Sequence, residues 1–346
     1  MPRLAVSFGA GLAAIAGLAT VLVVAATLLL PKQSGPGPIA GASPTPVATS
    51  AAPVTPAPSA SETPAPTASG VATVPSGFLP ASVTFVSPDH GFLLGSIPCS
   101  GNVCAFVAQT RDAGRSWMSL SDLPTSVASS ADQQGQNGVS TLRFATENVG
   151  WAFGPHELWT THDNGASWAR TQLPGLTSDS TIEALETSAG LVHAVVLECD
   201  SNGCQFTIRT SDVAQDTWRD SGVRLPVGAG PVPSAQLILN GTAGWLVQND
   251  RVATNGARLA NGTWSTWQPP CATLQGPVVI AASSPSDLVG ACDVGLWANH
   301  EGERLFVSHD GGTTFTKLST PIPVSTISAA AAADASTAVV AGYSPG

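Results

Sequence analysis

Charge is scarce in this 346-residue chain: 10% of residues are Asp, Glu, Lys or Arg, against the usual quarter. Tyrosine occurs once, as Tyr343, and only Arg3, Lys32 and Glu62 carry charge before Gly77. The net charge of −10 therefore falls almost wholly on the remainder. No basic face is available for phosphate binding, which argues against a nucleic-acid partner and against docking on anionic lipid. Beyond residue 30 no apolar stretch repeats with helical spacing, which disfavours an α-solenoid. The six histidines show no H-E-x-x-H or paired spacing, and there is no G-x-S-x-G elbow and no phosphate loop. No metal or cofactor is expected, and no catalytic residue is assigned.

What is present falls into three parts. Leu4 to Leu30 holds no charged residue. As a helix it would run roughly 40 Å, enough to cross a bilayer, and it is longer than the apolar region of a cleaved signal peptide. Residues 1–31 are read as a cytoplasmic stub and a single-pass membrane anchor, although Ala40-Gly41-Ala42 would suit cleavage. Residues 32–76 are mostly Pro, Ala, Ser, Thr, Gly and Val, with no aromatic side chain. Such a stretch cannot bury enough apolar surface to order itself and reads as an extended, disordered stalk. Residues 77–346 carry nearly all the aromatics and all six cysteines.

Cys99 and Cys104, then Cys199 and Cys204, form two pairs of the same spacing, with Cys271 and Cys292 left over. An even number at repeated local spacing reads as disulfides in an oxidising, extracytoplasmic compartment. A zinc site is the rival, but the pairs lie a hundred residues apart with no histidine in ligand register.

The third part repeats. A turn glycine followed by an apolar strand appears as Gly91-Phe92-Leu93-Leu94, Gly150-Trp151-Ala152-Phe153 and Gly244-Trp245-Leu246-Val247. Each copy is preceded by a short β-type run. A spacing of roughly 40–50 residues with Gly/Asn/Asp turns fits one four-stranded blade per repeat. A sharper pattern is Thr110-Arg111-Asp112-Ala113-Gly114-Arg115-Ser116-Trp117, which recurs from Thr161 through Asp163 and Gly165 to Trp168. It returns from Ser308 through Asp310 and Gly312 to Phe315, and in degenerate form from Thr210 through Asp212 to Trp218. Locally this is a hairpin loop: the aspartate accepts turn amides, and the glycine supplies positive φ.

That spacing resembles the Asp-box, or bacterial neuraminidase repeat, and most resembles the photosystem II assembly-factor-like propellers of non-photosynthetic bacteria. The resemblance implies an all-β propeller of six four-stranded blades, with seven as the alternative. It also implies boxes that are structural corners between third and fourth strands; counting the repeats leaves closure either to residues near 74–80 joining the last blade or to a chain shorter than its homologues. A sialidase needs an arginine triad and a tyrosine nucleophile. Here the one tyrosine lies near the end and the arginines are scattered. A different glycosidase needs two placed carboxylates, for which Glu147, Glu157, Glu183 and Glu198 are available. The expected function is accordingly a membrane-anchored, non-catalytic binding or scaffold module for an envelope protein or glycan, with a sialidase-fold glycoside hydrolase as the alternative. Trp297 and His300 are singled out for ligand contact. Trp264 and Trp267 share with Trp297 a lack of any evident structural duty.

Overall fold

The computed structural model describes residues 26–29, 73–99, 102–128, 137–228, 234–249, 255–271, 277–292, 304–319 and 326–343. Among these the chain is all strand and turn. A first strand, β1 (Ala26–Leu29), stands apart in sequence. The first sheet is β2 (Leu79–Phe85), β3 (Gly91–Cys99), β4 (Asn102–Thr110) and β5 (Met118–Asp122). The second is β6 (Thr141–Phe144), β7 (Gly150–Gly154), β8 (Glu157–Thr161) and β9 (Ala169–Arg170). The third is β10 (Thr181–Ser188), β11 (Leu191–Asp200), β12 (Gly203–Asp212) and β13 (Arg219–Pro226). The fourth is β14 (Ser234–Asn240), β15 (Ala243–Asn249), β16 (Asn255–Ala260) and β17 (Thr263–Trp267). The fifth is β18 (Val278–Ala282), β19 (Leu288–Cys292), β20 (Arg304–Ser308) and β21 (Thr316–Lys317), and β22 (Thr326–Asp334) and β23 (Thr337–Tyr343) begin a sixth.

Each of the first five sheets is an antiparallel meander in chain order. The leading strands β2, β6, β10, β14, β18 and β22 pack one on the next, which places them innermost. This is a β-propeller. Its second strands are buried on both faces and so read as continuous apolar runs rather than alternating ones. In β7, Trp151 and Phe153 face the third sheet while Ala152 faces the first. In β11, Val192, Ala194 and Val196 face the second sheet, and Val195 and Leu197 face the fourth. Five such cores join consecutive sheets from the first to the sixth. Among the described residues none joins the sixth sheet back to the first.

The repeated loops sit at the turns between third and fourth strands of the first, second, third and fifth sheets. Thr110 Oγ1 donates to Asp112 Oδ1 at 2.8 Å and accepts from the Gly114 amide at 2.9 Å, while Asp112 accepts the Ser116 amide at 2.8 Å. Thr161, Asp163, Gly165 and Ser167 repeat the pattern, as do Ser308, Asp310, Gly312 and Thr314. Two successive left-handed residues make the bend, Asn164 (φ 62) with Gly165 (φ 78) and Gly311 (φ 68) with Gly312 (φ 86). The amide after each aspartate reaches the first turn of its own sheet: Ala113 to Asp89 O, Asn164 to Asn148 O, Val213 to Gly190 O and Gly311 to Ser286 O. In the degenerate loop Asp212 has lost the serine partner, and Trp218 is buried in the core instead. The fourth sheet turns on Asn261 (φ 52) and Gly262 (φ 74) without any box.

Closure differs from expectation. Residues 74–80 do not reach the last sheet; Thr73 bridges Met118 on the outer edge of the first, and β2 belongs to that sheet too. The sixth sheet has three described strands in the order β22-β23-β1, with Ala26 opposite Val340 and Leu29 opposite Thr337. The last residues of the apolar N-terminal run therefore form a strand, not the end of a helix. The open edge of β23 supplies the backbone hydrogen bonds that a helix would otherwise make internally. The rest of the expected anchor, 1–25, lies outside the described residues, as does 30–72. Among the described residues no helix is long and apolar enough to cross a membrane.

Candidate functional site

The propeller has two unlike faces. One carries the boxes and the turns between first and second strands. The other carries the hairpins between second and third strands and the connections from sheet to sheet. All three disulfides form, Cys99–Cys104 in the β3–β4 hairpin, Cys199–Cys204 in the β11–β12 hairpin, and Cys271–Cys292 tying the end of β19 to the chain after β17. Three disulfides and no free cysteine among the described residues place the domain in an oxidising compartment.

Hairpin length shapes the second face. From the common starting point after the first turn, β3 and β4 run nine residues each and β11 and β12 ten, whereas β7 and β8 run five. At about 3.4 Å per residue the flanking hairpins rise roughly 14–17 Å above the Pro155-His156 turn. Between these two disulfide-stapled hairpins the shorter β7–β8 hairpin leaves a recess, into which the connection through Pro174 and Gly175 packs against Arg209 and Glu198.

Carboxylates stand on both sides of it. Glu157 opens β8 and faces the first sheet, where Oε2 accepts from Thr125 Oγ1 at 2.7 Å and from Trp159 Nε1 at 3.0 Å. Burial alone would raise its pKa, but those two bonds and the charge of Arg170 outweigh burial and hold the carboxyl below its ordinary range. Glu198 lies on the face of β11 that Val196 presents to the second sheet. It pairs with the buried Arg209, whose Nε donates to Pro174 O at 3.1 Å in the connection from the second sheet. Arg209 Nη1 is 2.9 Å from Asp220 Oδ2 but lacks hydrogen-bond alignment, so that contact is an ion pair alone. Arg224 closes the group on Asp220 at 2.9 Å, and its hydrogen bond is the chief reason Asp220 is pulled down to about 2. Glu183 sits at the bulge of β10 and accepts from Thr181 Oγ1 at 2.6 Å, near the same end of the inner strand.

Other polar groups serve the frame. Arg143 Nε donates to Glu186 Oε1 at 2.7 Å across the inner strands of the second and third sheets, and burial pushes the Glu186 carboxyl up despite that neighbour. His193 Nδ1 lies 2.8 Å from Thr210 Oγ1 and accepts from Trp264 Nε1 at 3.3 Å, with burial pushing the imidazole down to about 4.

The tryptophans divide differently from expectation. Trp264 is buried at the junction of the third and fourth sheets, and Trp267 donates to Gly312 O at 2.7 Å. Both are structural. Trp297 and His300 fall within 293–303, outside the described residues, as do 129–136 and 229–233 of the loops between repeats. Of the four carboxylates considered, Glu157 and Glu198 flank the recess and Glu183 lies at its inner end. Glu147 is on the opposite face beside His90. The hairpin lengths that create the recess could have been read from the distance between each turn glycine and its box; the cysteine pairs mark the two long ones.

No family model matches this chain, and no curated protein does. Among solved structures it is similar to a GH74 enzyme of Niastella koreensis, at 12% identity and TM-score 0.46 over 69% of this chain and 38% of that one. It is similar also to the GH74 xyloglucanase from Xanthomonas campestris, at 18% and 0.45 over 74% and 42%. The β-propeller domain of the Trilobed protease from Pyrococcus furiosus matches at 9% and 0.44 over 77% and 78%. This chain spans about two fifths of the length of the two GH74 structures. Where a non-catalytic binding or scaffold module was expected, glycoside hydrolases and polysaccharide lyases recur among the similar structures; at 11–18% identity the likeness is one of fold.

Proposed function

We propose that this chain is an extracytoplasmic, carbohydrate-active β-propeller that takes a polysaccharide strand across the recess over its second sheet. The reading is supported by Glu157 and Glu198, which stand at the same end of neighbouring sheets beside hairpins stapled by disulfides. Hydrolysis of a glycosidic bond needs two carboxyl groups in different protonation states on either side of the sugar. Glu157 is held ionised by Thr125, Trp159 and Arg170, which suits it to the base or nucleophile role. Glu198 is ion-paired with Arg209 and is therefore not assigned as the proton donor; with Asp220 and Arg224 it supplies hydrogen-bonding groups for hydroxyls along the same wall.

The boxes are read as Asp-boxes of the bacterial neuraminidase type, supported by the shared Ser/Thr–Asp–Gly–Ser/Thr bonding in three of them. The ring is read as six-bladed, with β1 contributed from the N-terminal side. Residues 4–25 would still span about 33 Å as a helix, so an anchor ending at Ala25 is compatible with β1.

The test is a panel of polysaccharides and aryl glycosides incubated with the purified full chain, with release of reducing ends as the readout. Turnover that Glu157→Gln lowers at least 100-fold, with folding unchanged by circular dichroism, supports the reading. Turnover unaffected by both Glu157→Gln and Glu198→Gln, or no turnover on any substrate, sinks it.

A further inference from the structure

Glu157 stands at a place where the repeat asks for no carboxylate. Four residues before the first hydroxyl of the box, the first, second and fifth sheets carry Phe106, Glu157 and Arg304. Phe106 lies opposite Gly95 and Glu157 opposite Gly154, and both glycines make room for a crossing segment. An added Cβ would lie 2.3 Å from the Phe78 ring at Gly95, and 2.0 Å from Gly138 O at Gly154. In the first sheet the space is taken by an aromatic contact, Phe78 against Phe106 with ring centres 6.0 Å apart. In the second it is taken by backbone.

That backbone is the neck of the connection from the first sheet to the second. Ser126 O accepts the Val139 amide and Val139 O the Ala128 amide, both at 2.9 Å, so the departing and returning segments lie side by side. Gly138 turns there with φ 101, and a Cβ on it would sit 2.5 Å from Ser126 O. Both ends of the neck reach Glu157: Thr125 Oγ1 donates to Oε2 at 2.7 Å, and the Gly138 amide also donates to the carboxylate. Trp159 Nε1 donates to the same Oε2 at 3.0 Å. A carboxylate has about four acceptor sites, so three donors leave one open. Arg170 adds a charge that favours the ionised form, but charge alone fixes no orientation; the three donors do.

We propose that Thr125 and Trp159 are positioning residues, which hold Oε2 so that the open acceptor site of Glu157 is presented to the sugar; this rests on the glycosidic role assigned to Glu157. No bond to either residue forms or breaks in the reaction. Their part is to keep the carboxylate from turning, so that it meets the reacting atoms already aligned.

The experiment has two arms, both on the full chain. The first compares kcat, KM and their pH profiles for the wild type, Thr125→Val and Thr125→Ser on the substrate that turns over. Thr125→Val should lower kcat about tenfold with KM little changed, the loss of one hydrogen bond to a charged group. The acid limb of its profile should move to higher pH, because a hydrogen bond to the ionised form has been removed. Thr125→Ser should restore both. The second arm needs no turnover: ultraviolet resonance Raman of the Trp159 indole, taken as the difference between wild type and Trp159→Phe, from pH 3.5 to 7. The indole N–H signal should follow protonation of Glu157, shift its midpoint upward in Thr125→Val, and lose its pH dependence in Glu157→Gln. A wild type without turnover fails the glycosidic reading and takes the reaction role of Thr125 with it. A pH-independent indole signal, an unmoved midpoint in Thr125→Val, or equal kcat losses in Thr125→Val and Thr125→Ser overturn the positioning itself.

Discussion

Trp267 Nε1 donates to the carbonyl of Gly312 at 2.7 Å, joining the outer strand of the fourth sheet to the box of the fifth. Two more donors from the same sheet reach that loop: Trp245 Nε1 to Gly311 O at 3.0 Å and Arg258 Nη1 to Thr313 Oγ1 at 2.8 Å. The first and second sheets use a related device, Ser121 Oγ donating to Gly165 O and accepting from Trp168 Nε1. A box is therefore more than a turn. The left-handed bend that lets the aspartate gather amides also turns carbonyls outward, toward the preceding sheet.

The degenerate third box gives a direct comparison. Trp151 occupies in the second sheet the place of Trp245 in the fourth, yet its indole N–H has no partner, because the third box lacks the glycine bend that would present a carbonyl. Trp245→Phe should cost about 1 kcal/mol more than Trp151→Phe, the net worth of one hydrogen bond. Chemical unfolding of the two variants under identical conditions measures the difference.

Glycine is required unequally. At Gly312 (φ +86) an added Cβ would lie 3.2 Å from the Trp267 ring and 3.3 Å from Trp245 Nε1, whereas at Gly262 (φ +74) nothing lies within 4 Å. Gly262→Ala should cost about 1 kcal/mol of backbone strain, and Gly312→Ala appreciably more because it also displaces an indole. Equal melting-temperature losses would refute the packing part of this account.

Acid should act on two groups in opposite regions. His193 is held down to about 4 by burial, below its usual 6.5, so its contribution is complete above about pH 6.5 and is lost as pH falls toward 4. His193→Gln should flatten that decline, worth about 3 kcal/mol at its full extent. Asp310 is held down to about 2, chiefly by the Thr314 hydroxyl. Its contribution holds above about pH 4 and disappears as pH falls toward 2; Asp310→Asn should remove it, lowering stability at pH 7 by about 1 kcal/mol given its exposure. Stability curves from pH 2 to 8 separate the two.

The disulfides should rank by loop length. Cys271 and Cys292 are 21 apart in sequence and both buried, against a separation of five for each hairpin bridge. Chain entropy assigns about 3 kcal/mol to the long bridge and about 2 to each short one. Paired Cys→Ala variants, unfolded without reductant, test the order.

The placing of β1 is open to a covalent test. Thr27 lies opposite Val339, so Thr27→Cys with Val339→Cys should form an additional disulfide in the oxidised full chain. A single-residue shift, Thr27→Cys with Val340→Cys, should form it poorly. Failure of the first pair would remove β1 from the sixth blade.

Much of this architecture was legible in the residues. Asp112, Asp163 and Asp310 recur at fixed offsets from a glycine and an aromatic because a tight left-handed bend tolerates few side chains, and that local requirement is written in local sequence. The paired spacing of Cys99–Cys104 and Cys199–Cys204 was readable for the same reason: each bridge spans one hairpin. Burial of strands such as Gly150–Gly154 on both faces likewise shows as an unbroken apolar run. Only the tertiary structure decided the partners of the carboxylates, since Glu157 meets Thr125 from the connection before its sheet and Glu198 meets Arg209 on the next strand. It decided too that Trp264 and Trp267 are joints between sheets, and that Ala26–Leu29 pairs with a strand three hundred residues away. Contacts made by bringing distant segments side by side leave no periodic mark in a chain; turns and strands do, because their geometry is satisfied within a few residues.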